Sequence, residues 1–230
     1  MTNGNGAPEF SLILASSVHD MKNSVGMLLA SLEEFINEAE AQSDDQNKRL
    51  ATLQYEASRI SGELIQLLSI YRMQDNRLPL HIDEQFVVDV LDDQAARNDM
   101  LFQTRDINVI TACDNDLHWY FDAELIGGVV HNVLVNCARY TKDTIKISAA
   151  VENDYLCIVI ADNGGGYPKL MLEEPLVQDA GVNFQSGSTN LGLFFAAEVA
   201  AMHTQKDLKG YIQLENGGEL GGGMFKLYLP

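Results

Sequence analysis

Two stretches near the N-terminus repeat apolar residues at alternating spacings of four and three, which strongly restricts what the chain can fold into. The first stretch places them at Leu14, Val18, Met21, Val25, Leu28, Leu32 and Phe35. The second places them at Leu50, Leu53, Ala57, Ile60, Leu64, Leu67 and Tyr71. A spacing of about 3.5 residues predicts two α-helices, each with a continuous apolar stripe. The short polar segment 41–45 lies between them, with Ser43 or Asp44 as a helix cap, and predicts a helical hairpin.

A hairpin of two helices has a thin core by itself. We therefore expect its stripes to pack against a second copy of the chain, which gives a homodimeric four-helix bundle with a two-fold axis. The alternative is a hairpin packed on the C-terminal domain of its own chain.

Beyond the second stripe the pattern changes. Pro79 ends the helical register, so we divide the chain into a disordered segment 1–10, a helical hairpin 11–75, a linker 76–80 and a second domain 81–230. Alternating element types in the second domain predict helices near 84–102, 122–140 and 191–203. Strands are expected near 107–111, 118–121, 144–151, 155–161, 210–214 and 224–229. The fold class is thus α+β, with an α/β sandwich that places helices on one face of a mixed sheet.

The acidic composition narrows the classes of partner. A formal net charge of −18 repels nucleic acids and anionic lipids. Any nucleotide must therefore be held locally, by a metal ion and by backbone donors. The three cysteines lie in apolar stretches, which favours buried thiols in a reducing compartment. Because the chain also shows neither an apolar run of about 20 residues nor a signal peptide, we expect a cytoplasmic protein without membrane contact.

His19 directly follows a stripe residue of the first helix, so it lies beside the buried face and within reach of solvent. A phosphoryl-accepting imidazole needs such a position, and it must keep one ring nitrogen unprotonated. Asp20 can orient the ring by accepting its other N–H. An ordinary surface histidine beside an acid is the alternative.

Asn132 and Asn136 are four residues apart on a predicted helix, which places both amides on one face. Amide oxygens suit Mg²⁺, which prefers hard oxygen ligands. Arg139 and Tyr140 follow near the same edge of the helix. The amides could instead cap or bridge to a neighbouring strand.

Two glycine-bearing segments complete the pattern. Asp162 stands at a predicted strand end before Gly164 and Gly166, where its carboxylate can accept a hydrogen bond from an exocyclic amine such as that of adenine. After a long irregular stretch, 167–187, that suits a mobile lid, Ser188 and Thr189 lead into Leu191 and Gly192. A helix N-terminus there can bind phosphates. A plain glycine turn and an ordinary capped helix are the respective alternatives.

Taken in order, these segments resemble the sensor histidine kinases of two-component signalling, from about Ser11 to Pro230. The resemblance implies ATP and Mg²⁺ as cofactors, and a phosphoacceptor hairpin followed by a catalytic ATP-binding domain. It also implies a response regulator receiver domain as partner.

The resemblance further implies residue roles. His19 is the phosphoacceptor, Asp20 its helper, and Asn23 positions water for dephosphorylation of the regulator. Asn136 binds Mg²⁺. Around the phosphates lie Asn132, Arg139 and Tyr140, and Asp162 binds adenine. The related gyrase-type ATPases carry a glutamate where Asn132 stands, so hydrolysis by water should be slow here.

The chain departs from the family pattern in two places. Ser188 and Asn190 stand where similar kinases carry more glycines, and Lys169 is the lone cation of the 167–187 stretch. Segment 1–10 is too short to fold as a sensor domain, so a stimulus is expected through a separate sensor protein. The alternatives are a histidine phosphotransferase or adaptor with a degenerate ATP-binding domain, and a dimeric scaffold without catalysis.

Overall fold

The computed structural model describes residues 21, 23–28, 31, 44–74, 78–173 and 190–230. The chain divides after Pro79 into two units, Met1–Pro79 and Leu80–Pro230. His19, Asp20, Ser188 and Thr189 lie outside the described residues, as does the segment that connects the two predicted N-terminal helices.

Helix α1 of the N-terminal unit spans Asp44–Gln74 and begins at one of the two predicted cap residues. Residues 21, 23–28 and 31 are also helical. On α1 the guanidinium of Arg59 pairs with Glu56 at 2.9 Å and with Glu63 at 2.7 Å, spacings of three and four that neighbour each other on a helix surface. The stripe residue Ala57 is buried.

The C-terminal unit alternates helices and strands. It consists of β1 (Asp83–Phe86), α2 (Val87–Arg97), α3 (Asp99–Thr104), β2 (Asn108–Ala112), β3 (His118–Phe121), α4 (Ala123–Tyr140), β4 (Thr144–Glu152), β5 (Tyr155–Asp162), α5 (Lys169–Glu173), α6 (Asn190–Met202), β6 (Thr204–Gln205), β7 (Leu208–Lys209), β8 (Tyr211–Gly217) and β9 (Gly222–Leu229).

Five strands form the main sheet, in the order β2-β4-β5-β9-β8. The β2–β4 pair is parallel and the other pairs are antiparallel, which confirms the predicted α/β domain with a mixed sheet. Alternate strand residues are fully buried, and they include Ile145, Ile147, Leu156, Ile158, Ile160, Phe225 and Leu227. Helix α4 contacts β5, and α6 contacts β8 and β9, so these two helices cover the buried face.

The predicted helix near 84–102 was wrong at its start and in the middle. Its first residues form β1, which pairs antiparallel with β3 in a small second sheet. The rest is broken into α2 and α3 at Asn98, whose side-chain Nδ2 donates to the carbonyl oxygen of Gln94 at 2.7 Å. Strand pairing and this local side-chain bond therefore outweigh the helical pattern.

The 167–187 stretch is described as far as residue 173. There it contains α5, a short helix that the sequence pattern did not predict. Within the described part of the chain, the helices are too short or too polar to cross a bilayer.

Candidate functional site

Helix α4 is the element that carries the predicted amides, and it is fixed at its start by Asp122. The Asp122 carboxylate accepts from the backbone N–H of Leu125 at 3.0 Å, which caps the helix, and from that of His81 at 2.9 Å. Asn132 and Asn136 follow on one face, and both are half-buried. Neither amide has a hydrogen bond within the described ranges. An amide oxygen is a hard ligand of the kind that Mg²⁺ prefers, so the half-buried Asn136 fits the predicted metal site.

The start of α6 lies directly against this face of α4. A Cβ added to Gly192 would overlap the side-chain amide of Asn132. Two of the predicted segments, far apart in the sequence, are therefore in contact, and the contact requires a residue without a side chain. The helix N-terminus of α6 consequently opens beside the half-buried amide of Asn132.

Asp162 ends β5 and its side chain is buried, with 6% exposure. One carboxylate oxygen, Oδ1, accepts from the backbone N–H of Gly164 at 2.7 Å and from that of Gly223 at 3.4 Å. The other, Oδ2, lies 4.0 Å from the thiol sulfur of Cys137 on α4. Burial and the Asp162 charge raise the pKa of the Cys137 thiol, so the thiol stays protonated and can donate to Oδ2.

Glycines allow three backbones to converge around this carboxylate. A Cβ at Gly164 would overlap the carbonyl oxygen of Tyr140, at the end of α4. One at Gly222 would overlap the carbonyl oxygen of Asp162. The glycines after Asp162 and in β9 thus permit close approach of helix end, loop and strand.

Asn163 has a role that the sequence reasoning did not assign. Its Oδ1 accepts from the hydroxyl of Thr141 at 2.8 Å and from the backbone N–H groups of Lys142, Asp143 and Thr144 at 3.1 to 3.2 Å. Its Nδ2 donates to Asp143 Oδ1 at 2.8 Å. The residue beside Asp162 therefore holds the turn between α4 and β4.

Arg139 and Tyr140 lie in the last turn of α4, and both are exposed. The Arg139 guanidinium carbon is 5.4 Å from the centre of the Tyr140 ring, a cation–π arrangement. An exposed arginine at this end of the helix is available to an anionic ligand.

The structure brings together most of the predicted site residues of the C-terminal unit. Asn132 meets Gly192, and Asp162 meets Gly164 beside the end of α4. Leu191 lies in the first turn of α6 next to Gly192, and Gly166 lies in the loop after Asp162 with a left-handed φ of +76°. Asn23 is helical and exposed in the N-terminal unit.

Sequence reasoning missed several residues around the carboxylate, namely Cys137, Tyr167, Asn216, Gly222 and Gly223. One signal was present, because three consecutive glycines, 221–223, enter an otherwise strand-like run. Glycine in a strand often marks a close backbone approach.

Comparison with known proteins agrees with this geometry. Residues 121–230 match the family described as histidine kinase-, DNA gyrase B-, and HSP90-like ATPases. The sensor protein SrrB of Staphylococcus aureus is 22% identical over 196 residues, which cover 83% of this chain and 34% of SrrB. The chain is thus similar in sequence to a sensor protein and, over residues 121–230, to this ATPase family. It spans about a third of the length of this curated relative.

Solved structures share the fold of this chain. The Acinetobacter baumannii histidine kinase AdeS has a TM-score of 0.57 at 18% identity, with 90% of this chain and 95% of that chain covered. Full-length ShkA in complex with AMPPNP has a TM-score of 0.60 at 18% identity, with 94% and 44% covered. The C-terminal unit accordingly resembles histidine kinase catalytic domains in fold, and its residues 121–230 carry the match to the ATPase family.

Proposed function

We propose that the protein is an ATP-dependent histidine kinase that autophosphorylates His19 and passes the phosphoryl group to an aspartate of a response regulator. The observation that carries the proposal is the convergence on α4. Asn132 lies against Gly192 of α6. One turn further along α4 come Asn136 and Cys137, and the thiol of Cys137 lies beside the Asp162 carboxylate. One helix thus contacts both the residue proposed to bind the base and the residues proposed to bind the phosphates.

At the base-binding end, Asp162 binds the exocyclic amine of adenine. Its Oδ1 is engaged by two backbone N–H groups, whereas Oδ2 has only the weak thiol donor of Cys137 within the described chain. Oδ2 is therefore the oxygen that accepts from the base. A negative carboxylate strengthens that bond relative to a neutral acceptor.

At the phosphate-binding end, Asn136 holds Mg²⁺ through its amide oxygen. Asn132, Arg139 and Tyr140 surround the phosphates, together with Ser188, Thr189 and the N-terminus of α6 at Leu191 and Gly192. Mg²⁺, when bound, neutralises charge on the phosphate oxygens. An exposed arginine and a helix N-terminus supply positive potential in a chain that is otherwise acidic.

Transfer of the phosphoryl group to His19 does not require the general base that ATP hydrolysis needs to activate water. The lone pair of one imidazole nitrogen attacks the γ-phosphorus, the bond from phosphorus to the β-γ bridging oxygen breaks, and ADP leaves. Asp20 stabilises the positive ring by accepting from the other N–H, whose proton is then lost. Asn132 cannot take a proton from water, so attack by histidine is favoured over hydrolysis.

On the same hairpin, Asn23 orients water for removal of phosphate from the regulator. The protein acts as a homodimer. Exposed apolar stripe residues support the dimer, since Leu53 and Ile60 on α1 are 56% and 43% exposed in the single chain. We place the protein in the cytoplasm, with the ATP-binding domain at 81–230.

Incubation with γ-labelled ATP and Mg²⁺ tests the proposal. We expect a protein-bound label that is labile in acid and stable in base, and that is absent from the His19→Gln variant. His118→Gln is the matched control, because His118 is an exposed histidine outside the site, and it should label like the unmodified protein. Label that persists in His19→Gln would place the acceptor elsewhere, for example at His131. Absence of ATP binding at millimolar concentration would favour the phosphotransferase.

A further inference from the structure

Tyr167 stands in a fixed backbone position beside the Asp162 carboxylate. Its backbone N–H donates to Asn216 Oδ1 at 2.7 Å, and its carbonyl oxygen accepts from Asn216 Nδ2 at 2.8 Å. Gly166 before it has a left-handed φ of +76°, and Pro168 after it favours an extended Tyr167 backbone. These two hydrogen bonds with Asn216, near the end of β8, form a clamp that fixes the backbone position from which the Tyr167 side chain extends.

One edge of the Tyr167 ring and the Asp162 carboxylate both lie close to Gly223 of β9. A Cβ placed on Gly223 would be 3.1 Å from Tyr167 Cε2 and 3.0 Å from Asp162 Oδ2. Since both atoms lie about 3 Å from one point, they are at most about 6 Å apart. Cε2 is bonded to the carbon that bears the hydroxyl, so the hydroxyl lies in the neighbourhood of Oδ2, the carboxylate oxygen that the two backbone N–H groups leave unused.

The Tyr167 hydroxyl has no hydrogen-bond partner among the residues that the structure describes. The side chain is half-buried, and burial, with Cys137 and Asp162 nearby, raises the pKa of the phenol. The hydroxyl therefore keeps its proton and remains a donor at neutral pH. For a hydroxyl that is partly withdrawn from water and has no partner in the described chain, a bound ligand can supply the hydrogen bond.

We propose that the Tyr167 hydroxyl is a second group that reads the nucleotide base, donating to adenine N1 while Asp162 accepts from the adjacent exocyclic amine. This inference rests on the proposed function. An acceptor and a donor side by side match adenine, whose amine donates next to the N1 acceptor. Guanine presents the reverse order, with an oxygen toward the carboxylate and an N–H toward the phenol. Tyr167 would thus determine selectivity for adenine beyond what Asp162 alone gives.

The test is a binding comparison of ATP with 1-deaza-ATP, in which N1 is replaced by C–H, measured by calorimetry with Mg²⁺. The unmodified protein should bind ATP about three- to tenfold more tightly than 1-deaza-ATP, which is the range expected for one neutral hydrogen bond. Tyr167→Phe should bind ATP about three- to tenfold more weakly than the unmodified protein does, with an unchanged affinity for 1-deaza-ATP. Tyr211→Phe, a tyrosine whose stacked ring lies on β8, is the matched control and should keep the discrimination.

The outcomes separate this inference from the proposed function. If the unmodified protein binds ATP but Tyr167→Phe binds it equally well, or loses ATP and 1-deaza-ATP equally, Tyr167 does not read N1 and the kinase proposal stands. If the unmodified protein binds neither nucleotide, both proposals fail. Should the variant not fold, the unmodified protein still decides, because equal affinity for the two nucleotides overturns the inference.

Discussion

The backbone N–H of Asp122 donates to Nε2 of His203 at 3.1 Å, across the gap between the start of α4 and the end of α6. The other ring nitrogen, Nδ1, lies 2.8 Å from the carbonyl oxygen of Val199. A carbonyl can only accept and a backbone N–H can only donate, so the contacts define the tautomer. His203 carries its proton on Nδ1 and is neutral in the folded protein.

This relationship predicts that stability falls as the solution becomes mildly acidic. Burial lowers the pKa of His203, which is 2% exposed, from its ordinary value near 6.5. His203 therefore binds a proton more readily in the unfolded chain than in the folded protein. The free energy of unfolding is highest above about pH 6.5, where His203 is neutral in both states, and it decreases as the pH falls toward the pKa of His203 in the folded protein. The slope is at most about 1.4 kcal/mol per pH unit for one group. Urea denaturation between pH 7.5 and 5.5 measures it.

Two variants isolate the contribution of His203. In His203→Gln the glutamine does not titrate, so part of the pH slope should disappear. In His118→Gln, which removes an exposed histidine, the slope of the unmodified protein should remain. Equal slopes in both variants would show that other groups cause the acid sensitivity.

A second prediction concerns Asn98, which ties α2 to α4. Its Nδ2 donates to the carbonyl oxygen of Gln94 at 2.7 Å and lies 3.1 Å from Nδ1 of His131. Asn98→Ala leaves both acceptors without this donor in a buried position, so we expect a loss of about 1–3 kcal/mol in the free energy of unfolding. Asn108→Ala, at an exposed position on β2, should change it by less than about 0.5 kcal/mol. A loss at Asn98 no larger than at Asn108 would mean that the tie contributes nothing.

The same residue shows where sequence-based prediction reaches its limit. Alternating apolar residues in β4 and β5 are visible because both strands bury one face, as Ile145 and Ile147 do. At the break, Asn98 also contacts His131 of α4, which lies 33 residues away and which no local pattern contains. Likewise, β1 exists because β3 pairs with it, although its residues also suit a helix.

In the candidate site, too, some residues can be assigned from the sequence and others cannot. Asn132 and Asn136 can be assigned from the sequence because one helix fixes their separation. The position of Tyr167 cannot be assigned in this way. It depends on the register that places Gly223 of β9 beneath Asp162, and on the clamp by Asn216, contacts between residues far apart in the chain.

A third prediction tests the proposed dimer. Replacing both Leu53 and Ile60 by Glu would bury two charges in the interface, at a cost of several kcal/mol. Sedimentation should then show a monomer. Glu63→Lys, which changes an exposed residue of the same helix, should leave the dimer intact. A dimer that survives the double substitution would exclude this stripe as the interface.

A fourth prediction concerns the contact between α4 and α6. In Gly192→Ala the new methyl group must displace the Asn132 amide, so binding of ATP with Mg²⁺ should weaken by about tenfold, or 1.4 kcal/mol. Gly128→Ala is the matched control on α4, since a Cβ there only touches the Phe195 ring at 3.9 Å. It should bind normally and be slightly more stable. Calorimetric titration of both variants would show equal affinities if the contact does not shape the site.

A fifth prediction concerns the charge of Asp162. Asp162→Asn keeps an oxygen that can accept from the N–H groups of Gly164 and Gly223, so the fold should persist. The amide lacks the negative charge, and it can present a donor to the exocyclic amine of adenine. ATP binding should therefore weaken by roughly 1.5–3 kcal/mol, the range for a hydrogen bond to a charged group. Because the loss arises at the base, ATP and ADP should weaken by the same factor in calorimetry. A loss confined to ATP would instead place Asp162 near the γ-phosphate, and unchanged binding of both nucleotides would remove it from the site.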